Sequence, residues 1–385
     1  MRTSRRIEGL AQSPIRAMTR ACLKKGGINL GQGVCQMPAP DAVKDGAIEA
    51  IRAGRSLYAK YEGIDELRPL IAKKMASFNE LPCDPDKEIA VTVGSSGAFA
   101  AAALALTDPG DEAILFEPYY GYHVNTLKVA GVEPKLVTMR PPDWRLDLAA
   151  VAAAAGPRTR LVVVNTPANP SGKVFTRAEL EGIAKICREK DLVAVTDEIY
   201  EHILYDGREH LSLATLSGMR ERTVTISGLS KTFAITGWRI GYAVAPEPLA
   251  RAIGLVADLL CVCAPTPLQH GVAKGLATLG PAYYDDLARA YASKRERICS
   301  ALDEAGLTPY VPEGAYYVLA DTGPFAGRDD QGAADALLEK TGVAAVPGRA
   351  FYRGDTGRRL LRYCFAIEDG PLDEACRRIR GLKDA

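Results

Sequence analysis

The chain has 385 residues, of which 47% are hydrophobic and 25% charged, and its formal net charge is +1 with a pI near 7.5. This is the composition of a globular protein of two or three structural units, and its charge balance argues against a groove for nucleic acid or an anionic membrane. No apolar run approaches the roughly 20 residues that span a bilayer, so we expect neither nucleic acid nor a membrane as a partner.

The nine cysteines are scattered, and the four histidines do not accompany a paired CxxC motif. An odd number of dispersed cysteines fits neither a disulfide framework nor a zinc site. The basic opening, MRTSRRIEGLAQSPIRAM, lacks the apolar core of a secretory signal peptide. We therefore expect reduced thiols, no metal ion and a cytoplasmic protein.

Apolar runs alternate with helical patterns from about residue 90 onward. The runs that predict strands are IAVTV, EAILF, RLVVVN, LVAVTDE, TVTIS and IGYAVA. The segments that predict helices include SSGAFAAAALAL, YHVNTLKVAG and TRAELEGIAKICREK, and the last of these begins with a capping box, Thr176 with Glu179. Continuously apolar strands that alternate with helices indicate a mostly parallel sheet covered on both faces.

The pattern changes after residue 281. A long helix there leads into YYVLAD, VAAVPG, LLRYCFA and a final helix, which together predict a smaller α+β unit. We therefore expect a large domain at residues 46–280 and a small C-terminal domain at 281–385. Residues 1–45 are expected to form an arm that packs on the small domain and completes it.

Polar residues cluster where two of the predicted strands end. TVGSSGAF, at 92–99, is a Gly-Ser turn that begins a helix, where backbone amides favour an anion such as phosphate and Ser95 and Ser96 add donors. NTPANPSG, at 165–172, forms a rigid turn in which Asn169 precedes a proline and can direct its amide at a ligand. A plain helix cap and a structural turn are equally good interpretations of these two motifs taken alone.

Two further strand ends carry charges. Asp197 ends the run LVAVTDE, where a carboxylate is costly unless it meets a cation; Glu198 beside it could face solvent, and Tyr200 could reach the same space as Asp197. Lys231 follows another strand, and a lysine in a dry pocket near a cation has a lowered amine pKa and attacks carbonyls. Arg239 carries a planar charge suited to phosphate. A Schiff-base lysine, an aspartate for a ring nitrogen and an arginine for phosphate indicate pyridoxal phosphate.

In this order and spacing, NTPANPSG, TDEIY and SGLSKTFAITGWRIGY resemble the class I/II aminotransferases of fold type I. The resemblance extends from INLGQG to LLRYCFA, and FEPYYGYH and VAAVPGRAFY are similar to the kynurenine, glutamine and methionine aminotransferases. It implies an α/β fold with a large domain that binds pyridoxal phosphate and a smaller α+β domain. It also implies a ping-pong transfer of an amino group from an L-amino acid, with an uncharged or aromatic side chain, to a 2-oxo acid.

The resemblance implies catalytic roles for residues that match the family motifs. Lys231 forms the Schiff base with the cofactor and then moves a proton, and Asp197 pairs with the ring nitrogen. Tyr200 and Asn169 hydrogen-bond the phenolic oxygen of the ring, and Tyr120 stacks on its face.

Other matches concern the phosphate and the substrate. The residues expected to hold the phosphate are Ser95, Ser96, Ser230 and Arg239. Tyr58 matches a tyrosine that reaches the phosphate of the other subunit, which implies a homodimer with shared active sites. Arg362 matches the arginine that holds the substrate α-carboxylate, with Gly33 and Asn169 beside it.

The chain also departs from the family pattern. Gly228 stands where many relatives have a phosphate-binding serine, and Cys35 stands where the subgroup often has proline. The resemblance assigns no role to the four histidines, and we expect them to be structural or at the surface. The sequence does not identify a second arginine for a distal carboxylate. An aspartate aminotransferase and a carbon-sulfur β-lyase built on the same site remain alternatives, and a non-catalytic sensor is a weaker one.

Overall fold

The computed structural model describes residues 4–8, 10, 14–325 and 327–384. The strands within these ranges are β1 (Ile28–Asn29), β2 (Ile89–Val93), β3 (Glu112–Glu117), β4 (Glu133–Thr138), β5 (Thr159–Asn165), β6 (Val193–Asp197), β7 (Thr223–Gly228), β8 (Ile240–Val244), β9 (Pro309–Tyr310), β10 (Tyr317–Asp321), β11 (Val343–Ala344), β12 (Val346–Pro347) and β13 (Leu360–Cys364). The α-helices are α1 (Pro14–Lys25), α2 (Asp41–Arg52), α3 (Leu67–Ser77), α4 (Gly94–Leu106), α5 (Gly121–Ala130), α6 (Leu148–Ala154), α7 (Arg177–Lys190), α8 (Glu247–Cys261), α9 (Thr266–Thr278), α10 (Pro281–Glu304), α11 (Asp330–Thr341) and α12 (Asp369–Arg380). None of the helices in this part of the chain is long and apolar enough to cross a membrane.

Seven strands form the central sheet in the order β2-β8-β7-β6-β5-β3-β4. β8 is antiparallel to both of its neighbours, and the other neighbouring strands pair in parallel. The predicted mostly parallel sheet is therefore confirmed. The sequence analysis missed β4, because this edge strand is buried only at Pro134 and Val137 and so contains no continuous apolar run.

Helices cover both faces of this sheet, as the alternation of strands and helices predicts. Val162 and Val164 of β5 pack in one apolar cluster with residues of α6 and α7. Val163, between them, packs in another cluster with residues of α4, α5 and α8. Because successive side chains of a strand point to opposite faces, both faces of β5 must be apolar. The predicted capping box at the start of α7 is also confirmed.

A second sheet has the order β12-β13-β10-β9 and is antiparallel throughout. Early and late parts of the chain meet beside it, since β1 pairs in parallel with β11 and places Ile28 opposite Val343. Met18 and Cys22 of α1 are buried in one apolar cluster with residues of α10, α11 and α12. This packing fixes α1 against the C-terminal helices, beside β1, β11 and β12.

Candidate active site

Four strands of the central sheet end at one edge, and each is followed by a polar motif. β2 precedes Ser95, β5 ends at Asn165, β6 ends at Asp197, and β7 ends three residues before Lys231. Ligands of such sheets bind beyond the carboxyl ends of the parallel strands. A cavity of about 400 Å³ lies at this edge.

Eleven of the twelve predicted site residues line this cavity: Gly33, Ser95, Ser96, Tyr120, Asn169, Asp197, Tyr200, Ser230, Lys231, Arg239 and Arg362. Tyr58 is the exception. It is 83% exposed and lines a separate surface pocket with Thr266 and His270.

Asp197 contacts a residue that the sequence analysis did not place in the site. Its Oδ2 lies 3.0 Å from Nε2 of His123, and its Oδ1 accepts a hydrogen bond from the backbone N–H of Ile199 at 3.3 Å. His123 is buried in α5, and its ring meets that of Tyr120 edge-on with 5.2 Å between centres. One feature of the sequence could have placed His123 in the site: it follows Tyr120 by three residues, so the two side chains lie on the same face of one helical turn.

Lys231 lies in an environment that favours its neutral form. Its Nζ is 3.4 Å from the carbonyl oxygen of Gly33 and lies over the rings of Tyr316 and Tyr200, 5.5 and 5.9 Å from their centres. Burial lowers the pKa of Lys231 to about 8, and the positive charge of Arg239 acts in the same direction. The neutral, nucleophilic form of this amine is therefore much more populated near neutral pH than it is in an ordinary lysine.

Tyr200 faces the cavity as a hydrogen-bond donor. Burial raises the pKa of Tyr200 well above its ordinary value, so its hydroxyl stays protonated. Its oxygen lies 3.1 Å from the hydroxyl oxygen of Tyr317, a cavity residue that the sequence analysis missed. Any side chain on Gly33 would collide with the Tyr317 hydroxyl, so the backbone at Gly33 packs directly against Tyr317.

The start of α4 and Arg239 form a positively charged corner of the cavity. Gly94 begins α4 with a φ of +72°, and a Cβ at this position would lie 2.5 Å from a guanidinium nitrogen of Arg239. The guanidinium donates to the carbonyl of Thr236 at 2.9 Å, and no carboxylate of a described residue pairs with it. An arginine and the free amides of a helix start provide a binding site for an anion.

Gly228 has a structural reason to be glycine. It lies opposite Gly241 in the ladder between β7 and β8, and a Cβ on Gly228 would come within 2.9 Å of the Gly241 Cα. In this chain, a side chain at position 228 would require the two strands to shift apart locally.

Arg362, in β13, is 1% exposed, yet no described residue gives it a carboxylate partner. It donates to Oδ1 of Asn169 at 3.1 Å and to the carbonyl of Gly31, while its Nε has no partner. Its guanidinium lies 4.5 Å from the ring centre of Tyr317 and 4.9 Å from that of Phe351. A buried cation without an anion is costly, so this end of the cavity suits a carboxylate ligand.

Glu198 does not face solvent, contrary to the sequence-based interpretation. Its side chain is fully buried and accepts hydrogen bonds from Thr196 and Ser212, and one of its oxygens lies 2.7 Å from Nε2 of His210. The chain turns after β6, so Asp197 and Glu198 belong to two separate polar clusters.

Comparison with known proteins identifies the family. The model of the class I and II aminotransferases matches residues 25–379. A probable N-succinyldiaminopimelate aminotransferase of Mycobacterium tuberculosis is 35% identical over 99% of both chains, and human kynurenine–oxoglutarate transaminase 1 is 30% identical over 99% of this chain and 98% of its own. A solved N-succinyldiaminopimelate aminotransferase from M. tuberculosis superposes with a TM-score of 0.95 at 36% identity, covering 99% of this chain and 100% of that one. The chain therefore belongs to the class I and II aminotransferases, which are pyridoxal-phosphate-dependent transaminases.

Proposed function

We propose that this protein transfers the amino group of an L-amino acid with an uncharged or aromatic side chain to a 2-oxo acid, in a ping-pong cycle on pyridoxal phosphate. The observation that carries the proposal is that two particular groups line the same cavity. Lys231, with its lowered pKa, is a nucleophile for a carbonyl group, and Arg362 is a buried cation that lacks an anion. An amino acid presents its α-amine beside its α-carboxylate, which suits this combination.

Pyridoxal phosphate fits the residues of the cavity. Arg239 and the start of α4, with Ser95, Ser96 and Ser230, would bind the phosphate. Asp197 would accept a hydrogen bond from the protonated ring nitrogen and keep it protonated, and Tyr200 and Asn169 would hydrogen-bond the phenolic oxygen. Tyr120 would cover one face of the ring. When bound, the cofactor supplies an electron sink for the pair left at the substrate Cα after it loses its proton.

Residues of the chain itself orient the reacting groups and move the proton. The contact with His123 holds the Asp197 carboxylate in place, so its negative charge stays directed into the cavity. Lys231, in its neutral form, would be the base that takes the proton from the substrate Cα and would then return it to C4′ of the cofactor. Arg362 fixes the α-carboxylate and thereby the direction of the Cα–H bond.

Apolar and aromatic side chains in the cavity lining support an uncharged or aromatic donor. Ile15, Val34 and Tyr122 line the cavity together with Tyr120. Apolar and aromatic walls bind side chains of the same character, because burial removes apolar surface from water. The name of the kynurenine-using relative agrees with an aromatic donor.

A donor and acceptor screen tests this function. Purified protein loaded with pyridoxal phosphate is incubated with single amino acids and either 2-oxoglutarate or pyruvate, and the new amino acid is quantified. We expect one new amino acid for each donor consumed. Release of ammonia from a sulfur amino acid without a new amino acid would replace the proposal by β-elimination.

We further propose a homodimer in which Tyr58 reaches the phosphate of the other subunit. Tyr58 and the neighbouring Leu57 are both 83% exposed in the single chain, which supports burial against a second copy. We also propose that residues 46–280 form the large domain and that residues 1–45 complete the small domain at 281–385. The packing of Met18 and Cys22 against α10, α11 and α12 supports this division.

Mixing two inactive variants tests the shared site. Dimers that combine a Lys231→Ala chain with a Tyr58→Asp chain contain one intact site and one doubly defective site. If the site is shared across a two-fold interface, activity should return to about half of the wild-type value per mixed dimer. Absence of recovery after verified subunit exchange would mean that Tyr58 does not contribute to the site of the other subunit, and the shared-site proposal would fail.

A further inference from the structure

A strap of residues 30–36, which follows β1, borders the active-site cavity without forming a helix or a strand. Three of its residues line the cavity: Gln32, Gly33 and Val34. The carbonyl oxygen of Gly33 lies 3.4 Å from Nζ of Lys231, and the carbonyl of Gly31 accepts a hydrogen bond from Arg362. The backbone of the strap therefore determines what two cations of the cavity contact.

Backbone hydrogen bonds hold the two ends of the strap. At its start, the Leu30 amide donates to the carbonyl of Ala344 at 3.0 Å, and the Leu30 carbonyl accepts from the Cys364 amide at 2.6 Å. At its end, the Gln36 amide donates to the carbonyl of Ala366 at 2.8 Å. These bonds attach both ends to the C-terminal part of the chain, and the cavity-lining residues between them depend on other contacts.

Between these ends, the side chain of Cys35 attaches the strap to α10. Its Sγ lies 2.9 Å from the hydroxyl oxygen of Tyr291, and either atom could donate the hydrogen. Cys35 is 6% exposed and Tyr291 is fully buried, with its ring packed at 5.6 Å between centres on that of Tyr316. The Tyr316 ring also lies 5.5 Å from Nζ of Lys231. The partner of Cys35 is thus held firmly, beside the same ring that contacts Lys231.

The contact between Cys35 and Tyr291 differs from simple packing of a small side chain. A buried cysteine often fills a core as a small hydrophobe, but a buried phenol hydroxyl needs a hydrogen-bond partner. Burial raises the pKa of Tyr291 well above its ordinary value, so its hydroxyl stays protonated and can donate to the sulfur. Proline, which the kynurenine, glutamine and methionine aminotransferases often have at this position, contains no polar side-chain atom. The contact therefore comes from the sequence of this chain.

We propose that Cys35 and Tyr291 form a latch that positions the strap, which makes Cys35 a positioning residue for transamination. Holding position 35 keeps the Gly33 carbonyl against Lys231 and the Gly31 carbonyl against Arg362. The latch thus limits how much water reaches Lys231, and it fixes the orientation of Arg362. Its effect on the amino donor rests on the proposed role of Arg362.

Loosening the strap should change the two cations in different ways. Burial is the main cause of the lowered pKa of Lys231, so water that reaches this amine should raise its pKa. Arg362 would lose the carbonyl that orients it and should bind the α-carboxylate less tightly. The fold should persist, because the backbone bonds at both ends of the strap remain.

Hydrogen exchange tests the latch without turnover. Exchange is measured by mass spectrometry on peptides that cover residues 30–36, in the cofactor-loaded full chain of the wild type, Cys35→Ala, Tyr291→Phe and the double variant. Each single variant should exchange there about three- to tenfold faster than the wild type. The double variant should be no faster than either single one, because both changes remove the same bond. Cys35→Ser should stay near the wild type, since its hydroxyl can still bond Tyr291.

The matched control is Cys299→Ala, which removes another buried thiol from the same helix and the same apolar cluster as Tyr291. It should lower the free energy of unfolding and leave exchange of the strap unchanged. Wild-type exchange in Cys35→Ala would overturn the latch, and so would a Cys35→Ser variant that exchanges as fast as Cys35→Ala. Additive effects of Cys35→Ala and Tyr291→Phe would also overturn it, because the two changes would then act separately.

Spectroscopy and kinetics separate positioning from packing. Because Lys231 bonds the cofactor in our proposal, the pH midpoint of the cofactor's absorbance band should rise by about 0.5 in Cys35→Ala and return in Cys35→Ser. KM for the best amino donor should rise about three- to tenfold, and kcat should fall by less than about threefold. Faster exchange with an unchanged midpoint and KM would overturn the positioning role. If the wild type transaminates no amino acid, the proposed function fails, and hydrogen exchange still decides whether the latch exists.

Discussion

Two polar clusters lie on either side of the turn after β6. They differ in whether their charged groups have partners within the chain. The first, the cavity set, includes Asp197, Lys231, Arg239 and Arg362, and none of these three cations has a carboxylate partner among the described residues. The second, the buried network, comprises Lys74, Asn79, Glu198, Glu201, His210, Ser212 and Ser227.

The buried network supplies a partner for each of its carboxylates. Glu201 pairs with Lys74 at 2.5 Å and accepts hydrogen bonds from Asn79 at 2.8 Å and from Ser227. Burial alone would raise the pKa of Glu201, but the charge and hydrogen bond of Lys74 together with the charges of His202 and His210 outweigh it and lower this pKa to about 2. Carboxylate and imidazole ligand atoms of Glu198, Glu201 and His210 lie within 4.8 Å of one another, yet the Lys74 ammonium already provides the cation there.

The comparison shows how binding groups can be distinguished from structural ones. Charges paired within the chain contribute to the folded state, and charges left without a partner are available to ligands. Substitutions in the cavity set should therefore change catalysis, and substitutions in the buried network should change stability.

The largest expected effect is that of Lys231→Ala. Removing the amine eliminates both the covalent attachment of the cofactor and the proton carrier, so transamination should fall by at least about 10³-fold. The cofactor should still bind through its phosphate and ring contacts, and thermal stability should stay close to that of the wild type. Borohydride reduction of the wild type followed by peptide mapping should place the adduct on Lys231, and an adduct on another lysine would contradict the assignment.

Asp197→Asn should reduce turnover by on the order of 10²- to 10³-fold, because a neutral amide cannot hold the proton on the ring nitrogen. The contact with His123 can persist, so the free energy of unfolding should change little. Turnover is measured on protein with verified cofactor content. Near-normal turnover under those conditions would remove Asp197 from the mechanism.

Glu201→Gln tests the buried network, and it should change the stability of the fold but not turnover. It leaves the Lys74 ammonium buried without its anion, which should lower the free energy of unfolding by about 3–5 kcal/mol. Turnover per folded molecule should be unchanged. The control is Glu247→Gln, which breaks an exposed pair with Lys87 and should cost less than about 1 kcal/mol.

The difference between wild type and Glu201→Gln should also depend on pH. The folded Glu201 carboxyl has a pKa of about 2, below its ordinary value of 4.5, so the unfolded chain binds more protons between these values. The stability that this carboxylate contributes is complete above about pH 5 and is lost as the pH falls toward 2. Urea unfolding at several pH values should show the two proteins converging in acid, and a constant difference would contradict the role of the charge.

Tyr317→Phe should have the smallest effect. It removes the hydroxyl 3.1 Å from that of Tyr200 but keeps the ring beside Arg362. The loss of one hydrogen bond, worth about 1 kcal/mol, should reduce kcat/KM by several-fold. Because Tyr200 contacts the cofactor in our proposal, the pH midpoint of the cofactor's absorbance band should also shift. An unchanged midpoint would limit Tyr317 to a packing role.

The sequence predicts the central sheet well, because its inner strands are continuous apolar runs with helices between them. It fails at β4, where the sheet edge is half exposed and the run is interrupted. Residues at the strand ends were identifiable, since polar side chains directly after a buried strand are conspicuous and their order matches a known family.

Several residues of the site were missed because they are distant along the chain. Tyr317 and Arg16, which line the cavity, come from β10 and α1, and His123, which contacts Asp197, comes from α5. Nothing local to their motifs shows that these elements converge. Glu198 was predicted to face solvent because its partners, His210 and Ser212, lie more than ten residues later in the sequence. Without visible partners, a carboxylate is difficult to predict as buried.

The pairing of Ile28 with Val343 has a consequence for biosynthesis. β1 is synthesised early, but it can pair only after β11 has been synthesised, more than 300 residues later, because Ile28 lies opposite Val343. The Cys364 amide likewise bonds the carbonyl of Leu30. Contacts of such long sequence separation form late and slow the folding of a chain. The part of the cavity proposed to bind the cofactor, built mainly from residues 94–239, can therefore form on the ribosome before the part proposed to bind the substrate carboxylate, which needs Arg362.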